Sequence, residues 1–156
     1  MKVVFGLMLL IAGQAAAQGR GQLQQELLLA HNQVRARVGV PPLAWSAELA
    51  SYAQEWAERL IERREFGHRP VTPLGENLFA ISGGVSSPRK VVGVWAAEGK
   101  DYNYRTNRCR GVCGHYTQIV WRETRQVGCG VARGGGREVW VCNYDPPGNW
   151  DGRRPY

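Results

Sequence analysis

The chain has 156 residues, 44% of them hydrophobic, with four cysteines and a formal net charge of +7. That length supports one domain with a real core but not two, and the positive balance, with nine arginines against four acids from Arg105 onward, favours anionic cell surfaces or envelopes as partners. The arginines are scattered singly, so no nucleic acid is expected, and no segment approaches 18 consecutive apolar residues, so no transmembrane segment is expected either.

Residues 1–17, MKVVFGLMLLIAGQAAA, join one lysine to an apolar run from Val3 to Ala12 and an Ala15-Ala16-Ala17 end. This is the pattern of a secretory signal peptide cut after Ala17, leaving residues 18–156 as a single domain secreted to the medium or the periplasm. Leu23, Leu27, Ala30, Val34 and Val38 then recur at steps of three and four, an amphipathic stripe stopped by Gly39 and Pro41-Pro42, so a first helix is expected over 21–38. His31 lies one position from this stripe, where a boundary histidine with a local hydrogen bond is the simplest reading. Ser46 caps a second helix with Leu49, Tyr52, Ala53, Trp56 and Leu60 as its buried face, fading near Arg64. His68 and Glu76 follow in the loop and turn segments FGHRP and LGENLF, and FAISGGVSSP reads as a loop. Ser87-Pro88 opens a third helix through Val91, Val92 and Trp95 to about Glu98.

The stretch CRGVCGHYTQIVWRE sets His115 between a pair of close cysteines and an aromatic run that reads as strand, Thr117 included. Beyond it, RQVGCGVARGGGREVWVCNYD reads as two strands about a glycine turn. With Gly135-Gly136 as the two-residue turn, Gly134 faces Arg137 and Cys129 falls opposite Cys142, as a non-hydrogen-bonded pair with Cα atoms about 4.5 Å apart. Four cysteines allow three pairings and the spacing does not suit paired zinc knuckles. The register selects Cys129–Cys142 and leaves Cys109–Cys113 as a small ring ahead of His115. Val127, Val131, Trp140 and Tyr144 share the disulfide's face of the hairpin, while Gly128, Gly130, Ala132, Val139 and Val141 fall on the other. Neither face is polar, so the sheet is expected between helices, an α+β fold built as a three-layer α-β-α sandwich.

Five motifs in fixed order across the mature chain resemble the CAP superfamily, named for cysteine-rich secretory proteins, antigen 5 and plant pathogenesis-related 1 proteins. HNQVRARVGVPPLAWSAELASYAQEWA is similar to the family's first two helices, GENL to its central turn, WAAEGKDY to its W-x-x-E-x-x-x-Y helix, and GHYTQIVW and CNYDPPGNW to its two signature segments. The resemblance implies an α-β-α sandwich with a cleft holding two histidines and two glutamates. By matched motif these are His68, His115, Glu76 and Glu98, although Arg69-Pro70 follows His68 where the family commonly has serine. In such a cleft His68 and His115 would be ligands for a divalent cation such as zinc, and Glu76 and Glu98 the carboxylates that orient an imidazole or hold a metal-bound water. No organic cofactor is expected. Three functions follow from the resemblance: a secreted binding or effector protein that holds a metal and a ligand, a metal-assisted hydrolase with a peptide substrate and Glu76 or Glu98 as its catalytic carboxylate, or a carrier of lipid or sterol.

Overall fold

The computed structural model describes the backbone of residues 4–156 and the side chains of residues 18–156. The side chains of the expected signal peptide therefore lie outside the described residues. Helix α1, Val4–Arg37, ends one residue short of the expected position but begins earlier, because no proline or N-capping side chain interrupts residues 18–22. Helix α2, Ala47–Arg63, starts as expected. The Ser46 hydroxyl accepts the Leu49 N–H at 3.1 Å, and Arg64 closes the helix in the left-handed conformation at φ 56°. Helix α3, Pro88–Ala97, is capped by Ser87 and passes into a 3-10 helix, Glu98–Asp101.

The sheet has four strands in the order β1-β5-β6-β2, with β1 Ala44–Trp45, β2 Gly75–Ser82, β5 Gln126–Gly134 and β6 Arg137–Asp145. Two-residue strands β3, Tyr102–Asn103, and β4, Arg108–Cys109, form a separate small hairpin. The β5–β6 register is the expected one, Gly134 opposite Arg137 and Cys129 opposite Cys142, because Gly135 and Gly136 both take positive φ, 58° and 73°, as a tight turn matched to strand twist demands. Cys129 and Cys142 are bonded with Cα atoms 4.1 Å apart, and Cys109–Cys113 closes the small ring.

Helices cover both faces of the sheet. Val127, Trp140, Tyr144 and the Cys129–Cys142 bridge pack against Leu27, Ala30 and Val34 of α1 and Val91, Val92 and Trp95 of α3. On the other face Leu78, Ala132, Val139 and Val141 pack against Ala53, Trp56, Ala57 and Leu60 of α2. Helix α2 rests directly on β5: a Cβ on Gly128 would sit 2.2 Å from the Ala50 nitrogen, and one on Gly130 2.3 Å from the Gln54 Cα. Only residues without side chains admit that approach. The result is an α-β-α sandwich in the α+β class.

Two expectations are corrected. GENL and the following FAIS are not turn and loop but strand β2, which pairs with β6 from Gly75 opposite Tyr144 to Ser82 opposite Arg137. Residues 114–119 are not strand but helix α4, Gly114–Ile119, with Thr117 inside it donating its backbone N–H to the Cys113 carbonyl at 2.9 Å. Both ends of α4 are held from elsewhere. The Glu98 carboxylate receives the His115 N–H at its start, and the buried Arg35 guanidinium donates to the Ile119 and Trp121 carbonyls at 2.7 and 2.8 Å and to Thr124 O at 3.1 Å. An anion at the N-terminus and a cation at the C-terminus complement the helix dipole, and this outweighs the strand preference of Thr117, Ile119 and Val120.

Candidate functional site

Each expected histidine is joined to one expected glutamate. In α4, the His115 Nδ1 lies 2.6 Å from Glu98 Oε1, while the other oxygen of Glu98 accepts the His115 backbone N–H at 3.0 Å. The carboxylate therefore caps the short helix and orients the ring in one grip. The ring also stacks on Trp95, centroids 6.1 Å apart at 17°, and its side chain is 28% exposed. The Cys109–Cys113 ring ends one residue before α4, and the Cys113 carbonyl accepts the Thr117 N–H at 2.9 Å, so the bridge constrains where the helix begins.

The second pair stands at the entry to β2. His68 Nδ1 is 2.9 Å from Glu76 Oε1, which also accepts the Arg69 N–H at 3.0 Å, and Asn143 donates to Glu76 Oε2 at 3.3 Å. Glu76 is thus held by three donors. Its hydrogen bond to His68 raises the pKa of that imidazole above the ordinary histidine value, against the opposing effect of desolvation.

Arg69, the residue that departs from the family's serine, anchors this loop. Its guanidinium lies 3.7 Å from the Tyr52 ring centroid and 5.2 Å from that of Trp56, and it donates to the Tyr52 carbonyl at 2.7 Å. Residue 69 is therefore fixed on α2, and its own N–H fixes Glu76. The geometry at His68 is set by stacking rather than by a small hydroxyl.

A buried polar chain links the sheet to the His115 segment. The His31 Nδ1 donates to Leu27 O at 2.8 Å, since a carbonyl can only accept, so its Nε2 must accept from the Tyr144 hydroxyl at 2.9 Å. The Asn77 amide in turn donates to the Tyr144 oxygen and to the His115 carbonyl, both at 3.1 Å. His31 does make the local bond expected of it, but it is fully buried rather than at a boundary. Burial lowers its pKa to about 4, so it is neutral in this network. Asn77 and Tyr144 carried no signal in periodicity, because Tyr144 looks like an ordinary alternate position of a strand and Asn77 falls in a segment that reads as a turn.

Among the described residues, no hydrogen bond joins the His68–Glu76 pair to the His115–Glu98 pair, and no cluster of three or more His, Cys, Asp or Glu is placed to hold a metal ion. The donor set itself suits a cation. Each imidazole is bonded through Nδ1 to a carboxylate, the arrangement that fixes a ring and leaves Nε2 as the ligand nitrogen.

An α-β-α sandwich bearing two His–Glu pairs at the start of β2 and of α4 defines the class. The family model of the cysteine-rich secretory protein family, CAP, matches residues 28–144, and the chain belongs to that family. It is 46% identical over 134 residues to pathogenesis-related protein 1 of Arabidopsis thaliana, covering 85% of this chain and 82% of the relative. It is 43% identical over 153 residues to pathogenesis-related protein 1A of Nicotiana tabacum, covering 96% and 89%. Among solved structures, Schistosoma mansoni venom allergen-like protein 4 superposes with a TM-score of 0.68 at 31% identity, over 86% of this chain and 93% of that one. NaASP2 with Zn²⁺ superposes with a TM-score of 0.71 at 25% identity, over 85% and 84%. No helix among the described residues is long and apolar enough to cross a membrane.

Proposed function

We propose that this chain is a secreted binding or effector protein of the CAP family in which His68 and His115 hold a divalent cation, zinc by preference, beside a site for a second ligand. The observation that carries the reading is the matched Nδ1 bonding of both imidazoles, to Glu76 at 2.9 Å and to Glu98 at 2.6 Å. A carboxylate on Nδ1 sets the tautomer with the lone pair on Nε2, the form in which histidine binds zinc. The bound cation would supply Lewis acidity to a ligand oxygen or to water. The chain's own residues orient and position: Glu98 holds α4 and the ring together, Glu76 holds the His68 loop, and Arg69 ties that loop to α2. The crystal structure of NaASP2 with Zn²⁺ supports the choice of metal. Two disulfides support an oxidising compartment, reached after removal of residues 1–17.

Calorimetric titration of the mature protein with ZnCl₂ tests the reading. One zinc per chain is expected, with affinity weakened by His115→Ala and by His68→Ala alike. Zinc affinity indifferent to both substitutions would refute it.

A further inference from the structure

The C-terminal tail and the disulfide-closed loop ahead of α4 face each other across a cavity of about 540 Å³, which none of the paired histidines and glutamates lines. One wall is the Cys109–Cys113 ring with Val112, the other is residues 149–153, and the buried Trp121 also lines it. The volume is in the range of roughly 300–1,000 Å³ typical of small-molecule sites.

Trp150 is the wall residue that needs explaining. It is 54% exposed, so the core does not need it, yet it is held from several sides. Its indole N–H donates to Pro147 O at 3.1 Å, and its carbonyl accepts the Arg153 N–H at 3.1 Å. The preceding Asn149 is kept at φ 60° by its side chain, which donates to Gly114 O at 2.9 Å and accepts the Thr117 hydroxyl at 2.7 Å. A large aromatic ring held open to solvent in a concave site is a stacking platform.

The charge around this platform carries a small basic excess. Arg108 and Arg110 flank Cys109 and are exposed, and Arg153 lines the tail wall. Arg154 bonds the carbonyls of Tyr104 and Arg105 at 2.7 and 3.2 Å, which brings the tail and the β3–β4 hairpin together as one basic surface. The acids nearby are Asp151 in the wall, Asp101 beside Gly111, and Glu123, which is bonded to Arg153. Guanidinium groups pair with carboxylates in a planar, two-point geometry, and a pyranose ring presents an apolar C–H face that stacks on indole. Asp151 can accept hydroxyl hydrogens from a sugar and repels any anionic group set directly against it.

We propose that this cavity binds an acidic polysaccharide, a chain of uronic acid residues, with one pyranose stacked on Trp150 and neighbouring carboxylates paired with Arg108, Arg110 and Arg153. The site is separate from the two His–Glu pairs and does not depend on the reading of those pairs. A flat anionic membrane fits it poorly, because the aromatic platform stands inside a concavity. A single-stranded nucleic acid would stack equally well but offers Asp151 few or no hydroxyl groups.

The test is calorimetric titration of the disulfide-intact mature protein with a galacturonate hexamer, at low and at physiological salt. Binding that weakens with salt is expected, and Trp150→Ala should weaken it about ten-fold with its salt dependence kept. The Arg108→Ser, Arg110→Ser double variant should weaken binding and flatten the salt dependence. Val112→Glu, at a wall position 65% exposed and so harmless to the core, should weaken binding by a similar factor while thermal unfolding stays near that of the parent. The proposal is overturned if the hexamer binds no better than neutral maltohexaose, if Trp150→Ala and Val112→Glu both bind as the parent does, or if phosphatidylglycerol vesicles or oligothymidylate bind more tightly than the hexamer.

Discussion

The Tyr144 hydroxyl donates to His31 Nε2 at 2.9 Å, joining β6 to α1 across 113 residues of sequence at the centre of the core. Both side chains are fully buried, and each has a second hydrogen bond, His31 to Leu27 O and Tyr144 from Asn77. Tyr144→Phe keeps the ring and removes only the oxygen. It leaves a buried imidazole nitrogen without its donor and an amide with one acceptor fewer, which should destabilise the fold by about 1–3 kcal/mol. Equilibrium urea unfolding measures this directly, and a change below about 0.5 kcal/mol would show that the network carries little of the stability.

Acid stability should depend on the same histidine. The folded pKa of His31, lowered to about 4 by desolvation, lies below the ordinary 6.5, so the unfolded chain takes up the proton first. The His31 contribution is then fully present above pH 6.5 and lost as pH falls from 6.5 toward 4, by a total on the order of 3 kcal/mol. His68 runs the other way: its raised pKa gives stabilisation that is full below 6.5 and fades as pH rises through the folded value, and its exposed position keeps that effect small. In a pH series of unfolding curves, His31→Gln should flatten the limb between pH 6.5 and 4. An unchanged limb would assign acid sensitivity to other groups.

Arg69→Ser restores the residue usual in the family and removes the stacking on Tyr52 and Trp56. The backbone N–H to Glu76 remains possible, but the loop loses its tie to α2. Stability should fall by about 1–2 kcal/mol, and zinc affinity should weaken through His68 while His115 keeps its geometry. Thermal unfolding and zinc titration of the same preparation separate the two effects. Undiminished zinc affinity would mean that Glu76 alone sets the position of His68.

Glu98→Gln tests the grip at the other histidine. An amide oxygen can still accept one hydrogen bond but offers neither the charge at the α4 N-terminus nor a second acceptor for the His115 N–H. Zinc binding should weaken about 10- to 100-fold, as expected for loss of a carboxylate behind a ligand imidazole. A drop in stability with no change in zinc affinity would make Glu98 a helix cap only.

Local chemistry was enough wherever it acts over a few residues. The Ser46 and Ser87 caps, the Gly135-Gly136 turn, the hairpin register and hence both disulfides are all legible in the sequence, because each depends on neighbours in the chain and on a period of two or 3.6. The motifs also named His68, Glu76, Glu98 and His115 as a set. Their division into two pairs belongs to the tertiary structure, as does the conformation of residues 114–119. That stretch, with Thr117, Ile119 and Val120, has the local preference of a strand. It is a helix because Glu98, 17 positions from His115, supplies an anion at one end, and Arg35, 84 positions from Ile119, supplies a buried cation at the other. Arg35 stays charged although desolvation lowers its pKa to about 10, with carbonyls from Pro41, Ile119, Trp121 and Thr124 around it. Charges brought from such distances leave no local pattern in sequence, and a six-residue helix has too few hydrogen bonds of its own to form without them.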